Sequence, residues 1–304
     1  MIMTFQKIIF SLIIPALFLL SCGEGTVDPA HESYEPRIVI EGFLEANKNI
    51  DRLRITRNFK VDVDLTKSSV IPDPDETTVL VTDVAADQVY TLSFYDEDEG
   101  DAYWHYTGTD LIIQSGKTYR LEVWSKIEGQ RLYATAETTI PAEGFAVKEQ
   151  NYHELRYRQR DSSGNLMQFE LTLERSPGSS YYMALISAQD PKRESFIYDN
   201  PYEDKEPGEV NLVDDAFNYE VYHHMPQTSG QSRMMISWHN FKFYTDYKII
   251  AYVTDDNYKD FFITFRNVME PDGNIHEPKF NVKGDGIGVF GSLIADTVHC
   301  RVTR

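Results

Sequence analysis

Thr118-Tyr119-Arg120-Leu121-Glu122-Val123 and Leu132-Tyr133-Ala134-Thr135-Ala136-Glu137-Thr138 decide the fold class of this chain. In both, apolar and polar residues alternate with a period of two, which places one face in a core and the other in water. Glu128-Gly129 lies between them as a turn signal. The same pattern recurs upstream. Arg37 to Leu44, Arg52-Leu53-Arg54-Ile55-Thr56, Thr78-Val79-Leu80-Val81-Thr82, Val89 to Tyr95 and Ala102-Tyr103-Trp104-His105-Tyr106 are five further short runs. Turn signals at Gly100 and Ser115-Gly116-Lys117 punctuate them. Seven short strands over residues 37–141 predict a two-sheet sandwich of immunoglobulin or fibronectin type. No cysteine pair bridges the sheets, which excludes an antibody-type domain and leaves fibronectin-like and transthyretin-like variants open.

Ile140-Pro141-Ala142-Glu143-Gly144 marks a boundary, and residues 142–304 predict a second β-rich domain. Leu166 to Leu173, Tyr181 to Ala188, Arg233 to Trp238 and Tyr247 to Val253 are its strands, and a closing strand lies near Thr297 to Val302. One segment departs from the period of two. Tyr258, Phe261, Phe262, Phe265 and Met269 fall on one helical face, so residues 257–269 predict the principal helix. Asp255 or Asp256 caps its start, and Pro271-Asp272-Gly273 ends it. The aromatic stripe is read as core rather than as a ligand cage.

The N-terminus gives an address. Met1 to Lys7 is weakly basic, and Ile8 to Leu20 is an apolar run too short for a membrane span. Leu19-Leu20-Ser21-Cys22 follows as a lipoprotein processing site. Residues 1–21 are therefore expected to be a cleaved signal peptide, Cys22 the acylated (palmitate-bearing) residue, and residues 22–36 a flexible tether. Multiple acyl chains anchor a protein stably without a transmembrane helix.

The only other cysteine is Cys300, in an alternating stretch where a small buried hydrophobe is expected. No disulfide is then available, and packing alone must hold the fold. The formal net charge is −19, and removal of the signal takes away one lysine and no acids. Such a surface excludes nucleic acid as a partner. Tyr (19), Phe (17) and Trp (3) spread along the chain supply a core that a disordered acidic chain would lack.

Chemical motifs are sparse. Gly286-x-Gly288-x-x-Gly291 matches a dinucleotide fingerprint by letter only. The helix and second strand that motif requires do not follow it. A bulge or a close backbone approach is the expected use of these glycines. Asp96, Asp98 and Asp101 offer oxygen ligands to calcium, without the spacing of a calcium loop; an acidic hairpin tip is the simpler reading. His223-His224 point to opposite faces of a strand and do not share a metal. No nucleophile elbow is present. No catalytic residue, cofactor or metal site is nominated.

Several stretches together resemble a family of Bacteroidota lipoproteins, the domain-of-unknown-function family 4249. They are Ile40-Glu41-Gly42-Phe43-Leu44, Gly116-Lys117-Thr118-Tyr119-Arg120-Leu121, Tyr181-Tyr182, Asp214-Asp215-Ala216-Phe217, Asn281-Val282 and the glycine cluster ending in Phe290-Gly291. The resemblance covers nearly the whole mature chain. It implies an outer-membrane lipoprotein, often facing outward, encoded beside TonB-dependent transporters, with no established catalytic residues. The expected function is a binding or accessory module of nutrient uptake that engages a glycan or peptide. An envelope hydrolase and a structural partner of an outer-membrane complex are the alternatives.

Overall fold

In the computed structural model, the seven alternating runs of the first half become eight strands. The structure describes residues 34–60, 64, 66–96, 102–223, 230–268 and 278–304. The strands are β1 (Ile38–Glu45), β2 (Leu53–Arg57), β3 (Thr77–Asp83), β4 (Gln88–Thr91), β5 (Ser93–Asp96), β6 (Ala102–His105), β7 (Thr118–Ile127) and β8 (Gln130–Thr139). β1-β2-β6-β5 lie side by side in one sheet and β8-β7-β3-β4 in another. That is the strand order of an immunoglobulin sandwich with one added edge strand. The run expected from Val89 to Tyr95 is split at Leu92. Leu92 is buried and its N–H donates to the Val79 carbonyl at 2.9 Å, and the chain crosses there from one sheet to the other. Ile38, Ile40, Leu53 and Ile55 meet Val79, Val81, Leu121, Val123, Ala134 and Ala136 in the core between the sheets.

The second half adds β9 (Ala146–Gln150), β10 (Glu154–Arg156), β11 (Phe169–Glu174), β12 (Tyr181–Ala188), β13 (Phe217–His223), β14 (Gln231–Ile236), β15 (Asp246–Thr254), β16 (Lys283–Gly284) and β17 (Gly286–Thr303). The fragment around Gly288–Gly291 and the closing strand are thus one 18-residue strand. β17 pairs parallel with β1 along its first part and antiparallel with β15 along the rest. Through β17 the first sheet continues as β13-β12-β15-β17-β1-β2-β6-β5. Strands from both sides of Pro141 therefore share it, and Pro36–Arg304 form one compact unit. A three-stranded sheet, β14-β11-β9, contributes Phe169, Leu171 and Leu173 to the same core as Tyr182, Ala184, Ile249, Ala251 and Val253 of the long sheet.

After a single-turn helix α1 (Lys67–Val70), the principal helix α2 spans Asp256–Val268. Its Tyr258 packs on Phe43 of β1 at 4.6 Å and on Tyr252 of β15 at 6.1 Å between ring centroids. Phe262 meets Tyr181 and Tyr219. The β registers put Phe43, Tyr252, Tyr181 and Tyr219 on one face of the long sheet, opposite the inter-sheet core. The expected aromatic stripe is thus packing at Tyr258 and Phe262, as read from its spacing, but it divides, and Met269 and the expected stop at Pro271-Asp272-Gly273 lie outside the described residues. Phe261 and Phe265 stack on each other away from the sheet, and Phe265 is exposed.

The glycine cluster serves close approach. Gly288 has φ +116°, and a Cβ there would lie 2.0 Å from the Ile40 carbonyl oxygen. Only glycine lets β17 lie against β1 at this point.

Candidate functional site

Three loosely related segments converge at the start of α2: the end of β8, the Thr254–Asp255 corner and the middle of β17. Asp255 is the helix cap, with Oδ1 accepting the Tyr258 N–H at 2.9 Å and the Ser292 N–H at 3.1 Å. Its Oδ2 lies 2.7 Å from Thr138 Oγ1. Thr138 Oγ1 is 2.8 Å from Ser292 Oγ, which donates to the Thr139 carbonyl at 3.1 Å. Each hydroxyl has a single proton. The three contacts are hydrogen bonds at once only when the Asp255 carboxyl is protonated and donates to Thr138. Burial raises its pKa in that direction, against the hydrogen bonds from the Tyr258 and Ser292 N–H groups.

Two asparagines complete the joint. Asn257 Nδ2 donates to the Glu137 carbonyl at 2.8 Å and to the Phe290 carbonyl at 3.3 Å. Asn281 Nδ2 donates to the same two carbonyls, at 3.2 and 2.8 Å, and its Oδ1 accepts the Phe290 N–H at 2.9 Å. Side-chain amides thereby stand in for a missing strand between β8 and β17. The Asn281, Phe290 and Gly291 of the sequence motif meet here, so that motif is the closure of the joint.

The joint separates two clefts that meet at Glu137 and Asn257, of about 490 and 580 Å³. Both open on the outer face of the β7–β8 hairpin. Four cross-strand pairs lie along that face: Trp124 with Tyr133, Glu122 with Thr135, Arg120 with Glu137, and Thr118 with Thr139. The rings of Trp124 and Tyr133 are 5.0 Å apart. Tyr133 donates to Glu122 Oε1 at 2.9 Å; burial and that carboxylate both raise its phenol pKa, keeping the proton in place. Arg120 Nε donates to Glu137 Oε1 at 2.7 Å, and the two threonine hydroxyls lie 2.8 Å apart. At ~3.4 Å per residue, the groove from Tyr133 to Thr139 runs ~20 Å.

Its far wall is Phe280, Asn281, Val282 and Lys283. Phe280 rests on Phe261 of α2 at 6.2 Å, and the Lys279 N–H donates to Thr264 Oγ1 at 2.7 Å. The outward pair Phe261 and Phe265 is thus the buttress of this wall. Thr254 lines the smaller cleft and is 3 % exposed, and its Oγ1 has no hydrogen-bond partner among the described residues.

Cys22, Asp98 and Asp101 lie outside the described residues, as do the signal segment and the tether up to residue 33. Asp96 is exposed at the end of β5. Among the described residues, no group of three or more His, Cys, Asp or Glu side chains gathers to hold a metal. Cys300 is buried in β17, and burial pushes its thiol up to about 12, as suits an inert packing residue. Asp215 of the acidic pair is 3 % exposed. It accepts Lys205 Nζ at 2.6 and 2.8 Å and Lys242 Nζ at 3.2 Å, so it belongs to a buried ion cluster rather than to the groove. Sequence reasoning missed the groove. Its outward residues are visible in the alternation of β7 and β8, but its wall comes from a segment more than 140 residues downstream.

The architecture is a pair of sandwiches fused through one sheet, with a polar groove beside the joint. The chain belongs to the family described as Domain of unknown function (DUF4249), whose model matches residues 24–296. No curated protein matches it. Among solved structures it is similar to the crystal structure of a DUF4785 family protein from Legionella pneumophila, at 11 % identity and a TM-score of 0.26. That similarity covers 71 % of this chain and 50 % of the Legionella protein, so the chain spans half of that protein's length.

Proposed function

We propose that this chain is a lipid-anchored capture module of the bacterial outer membrane that holds a glycan or peptide for a TonB-dependent transporter. Acylated Cys22 is the anchor, residues 22–36 are the tether, and the body faces outward. The observation that carries the reading is the pair of clefts along a ~20 Å hairpin face, which meet at Glu137 and Asn257 beside a hydrogen-bonded joint. A preformed polar cleft on a rigid scaffold binds at small ordering cost. The leucine-rich run into Ser21-Cys22 supports the anchor.

The experiment is affinity purification of the full chain from solubilised outer membranes, with palmitate labelling in parallel. The expected result is co-purification of a TonB-dependent transporter by the wild-type chain, and loss of label and of membrane retention in Cys22→Ser. A freely released, unlabelled wild-type polypeptide, or an acylated chain that recovers no transporter, contradicts the proposal.

A further inference from the structure

We infer that the ligand of the β7–β8 groove is a neutral, linear oligosaccharide, lying along the strands with one end stacked on Trp124 and Tyr133; this rests on the capture-module reading above. A sugar ring presents C–H faces to an aromatic surface and a rim of hydroxyls that both donate and accept. The groove offers that sequence of groups. Tyr133 in the cleft and its cross-strand neighbour Trp124, 40 % exposed outside the cleft lining, supply the rings, Glu122 and Glu137 the acceptors, Arg120 the donors, and Thr118 and Thr139 hydroxyls of both kinds. The unpartnered Thr254 hydroxyl in the smaller cleft adds a polar group without a protein partner. The ~20 Å run exceeds a single sugar ring, so a chain of them fits.

Charge and edge geometry exclude the other ligands. Leaving aside the buried Asp255, the two clefts hold the carboxylates of Glu122, Glu137 and Asp256 against Arg120 and Lys283. Within a chain of net charge −19, that lining repels uronates, sulfated glycans and other polyanions. An extended peptide binds through a free strand edge or through apolar pockets for alternate side chains. The β8 edge is closed here. Lys283 and Gly284 pair with Thr135 and Ala134, and the Glu137 carbonyl is taken by Asn257 and Asn281.

The test is titration calorimetry of the full acylated chain, in a detergent without a sugar headgroup. The probes are linear oligosaccharides of glucose, mannose and xylose of increasing length, oligogalacturonate, and a library of extended peptides. At least one neutral series is expected to bind, with affinity rising with length until the groove is filled. Trp124→Ala, at an exposed position, is expected to lower that affinity about tenfold, and Glu137→Gln to lower it with the fold intact by circular dichroism. Failure of all neutral series, a preference for oligogalacturonate or peptide, or binding unchanged in both variants overturns the inference. Recovery of a transporter without any sugar binding overturns only this inference. Sugar binding without a transporter overturns only the partner proposed above.

Discussion

Asp255 and Ser292 bond to each other in both directions: the Asp255 N–H donates to the Ser292 carbonyl at 2.9 Å, and the Ser292 N–H donates to Asp255 Oδ1 at 3.1 Å. This exchange fixes the start of α2 to the middle of β17, and Thr138 ties both to β8. Replacing Asp255 with Ala removes the helix cap, leaves the Tyr258 and Ser292 N–H groups without their acceptor and takes away the Thr138 contact. We expect a loss of about 3 kcal/mol in urea unfolding. Asp255→Asn keeps the shape and offers Thr138 an N–H donor, and is expected to recover most of that loss.

The same carboxyl sets a pH dependence. Its folded pKa is raised above the unfolded value by burial. The folded state therefore holds the proton more tightly, and this contribution is full below the unfolded pKa of ~3.9. It declines as pH rises through the folded value. Asp255→Asn removes this component. A difference curve of unfolding free energy, wild type minus variant, should fall with rising pH in the acidic range and then level. A difference that rises with pH contradicts protonation at the joint.

Asp215 runs the other way. Burial pushes its carboxyl up, but hydrogen bonds from Lys205, the Asn211 backbone and Lys242 outweigh it and hold it below the usual range. Its stabilisation is present above the unfolded pKa of ~3.9 and is lost as pH falls through the depressed folded value. Asp215→Asn is expected to cost about 3 kcal/mol at neutral pH, because Lys205 and Lys242 are left sharing Glu203 alone, and to flatten the acid limb of the melting curve.

Gly288→Ala tests the closest approach in the fold. The added Cβ would sit 2.0 Å from the Ile40 carbonyl at a left-handed backbone position. A destabilisation of about 3 kcal/mol is expected by thermal melting. A near-neutral result would mean that β1 and β17 separate there at little cost.

Cys300 offers a chemical check. In a Cys22→Ser background, iodoacetamide at pH 8 should leave the folded chain unlabelled and alkylate it after denaturation, since burial keeps the thiol protonated and inaccessible. Rapid labelling of the native chain would contradict the packing of β17 against Tyr247, its partner in β15.

Local physics was legible in the sequence to different depths. Strands with one buried face, such as Thr118–Ile127 and Gln130–Thr139, announce themselves by alternation. The helix was visible because Tyr258 and Phe262 repeat at its own period. The crossing at Leu92 was not, because a strand that changes sheets at one buried residue keeps the same alternation on both sides. The parallel pairing of Ile38 with Gly286 was hidden by their separation, since nothing local to either strand specifies a partner so distant. The glycines of β17 signalled close approach without naming what approaches. The groove inherits the same limit. Arg120, Glu122 and Tyr133 look like ordinary outward residues of a hairpin until Phe280 and Lys283 are set opposite them.

The seam between Ile38–Glu45 and Gly286–Leu293 zips the outset of the folded body to its finish. Such a chain cannot consolidate piecemeal as it emerges from the ribosome. Its widest sheet waits for the last residues to arrive, which makes folding slow and dependent on contacts remote in sequence. Until then the exposed strand β1 is an invitation to chaperones and proteases, and a copy truncated before Gly286 has no means of shielding it.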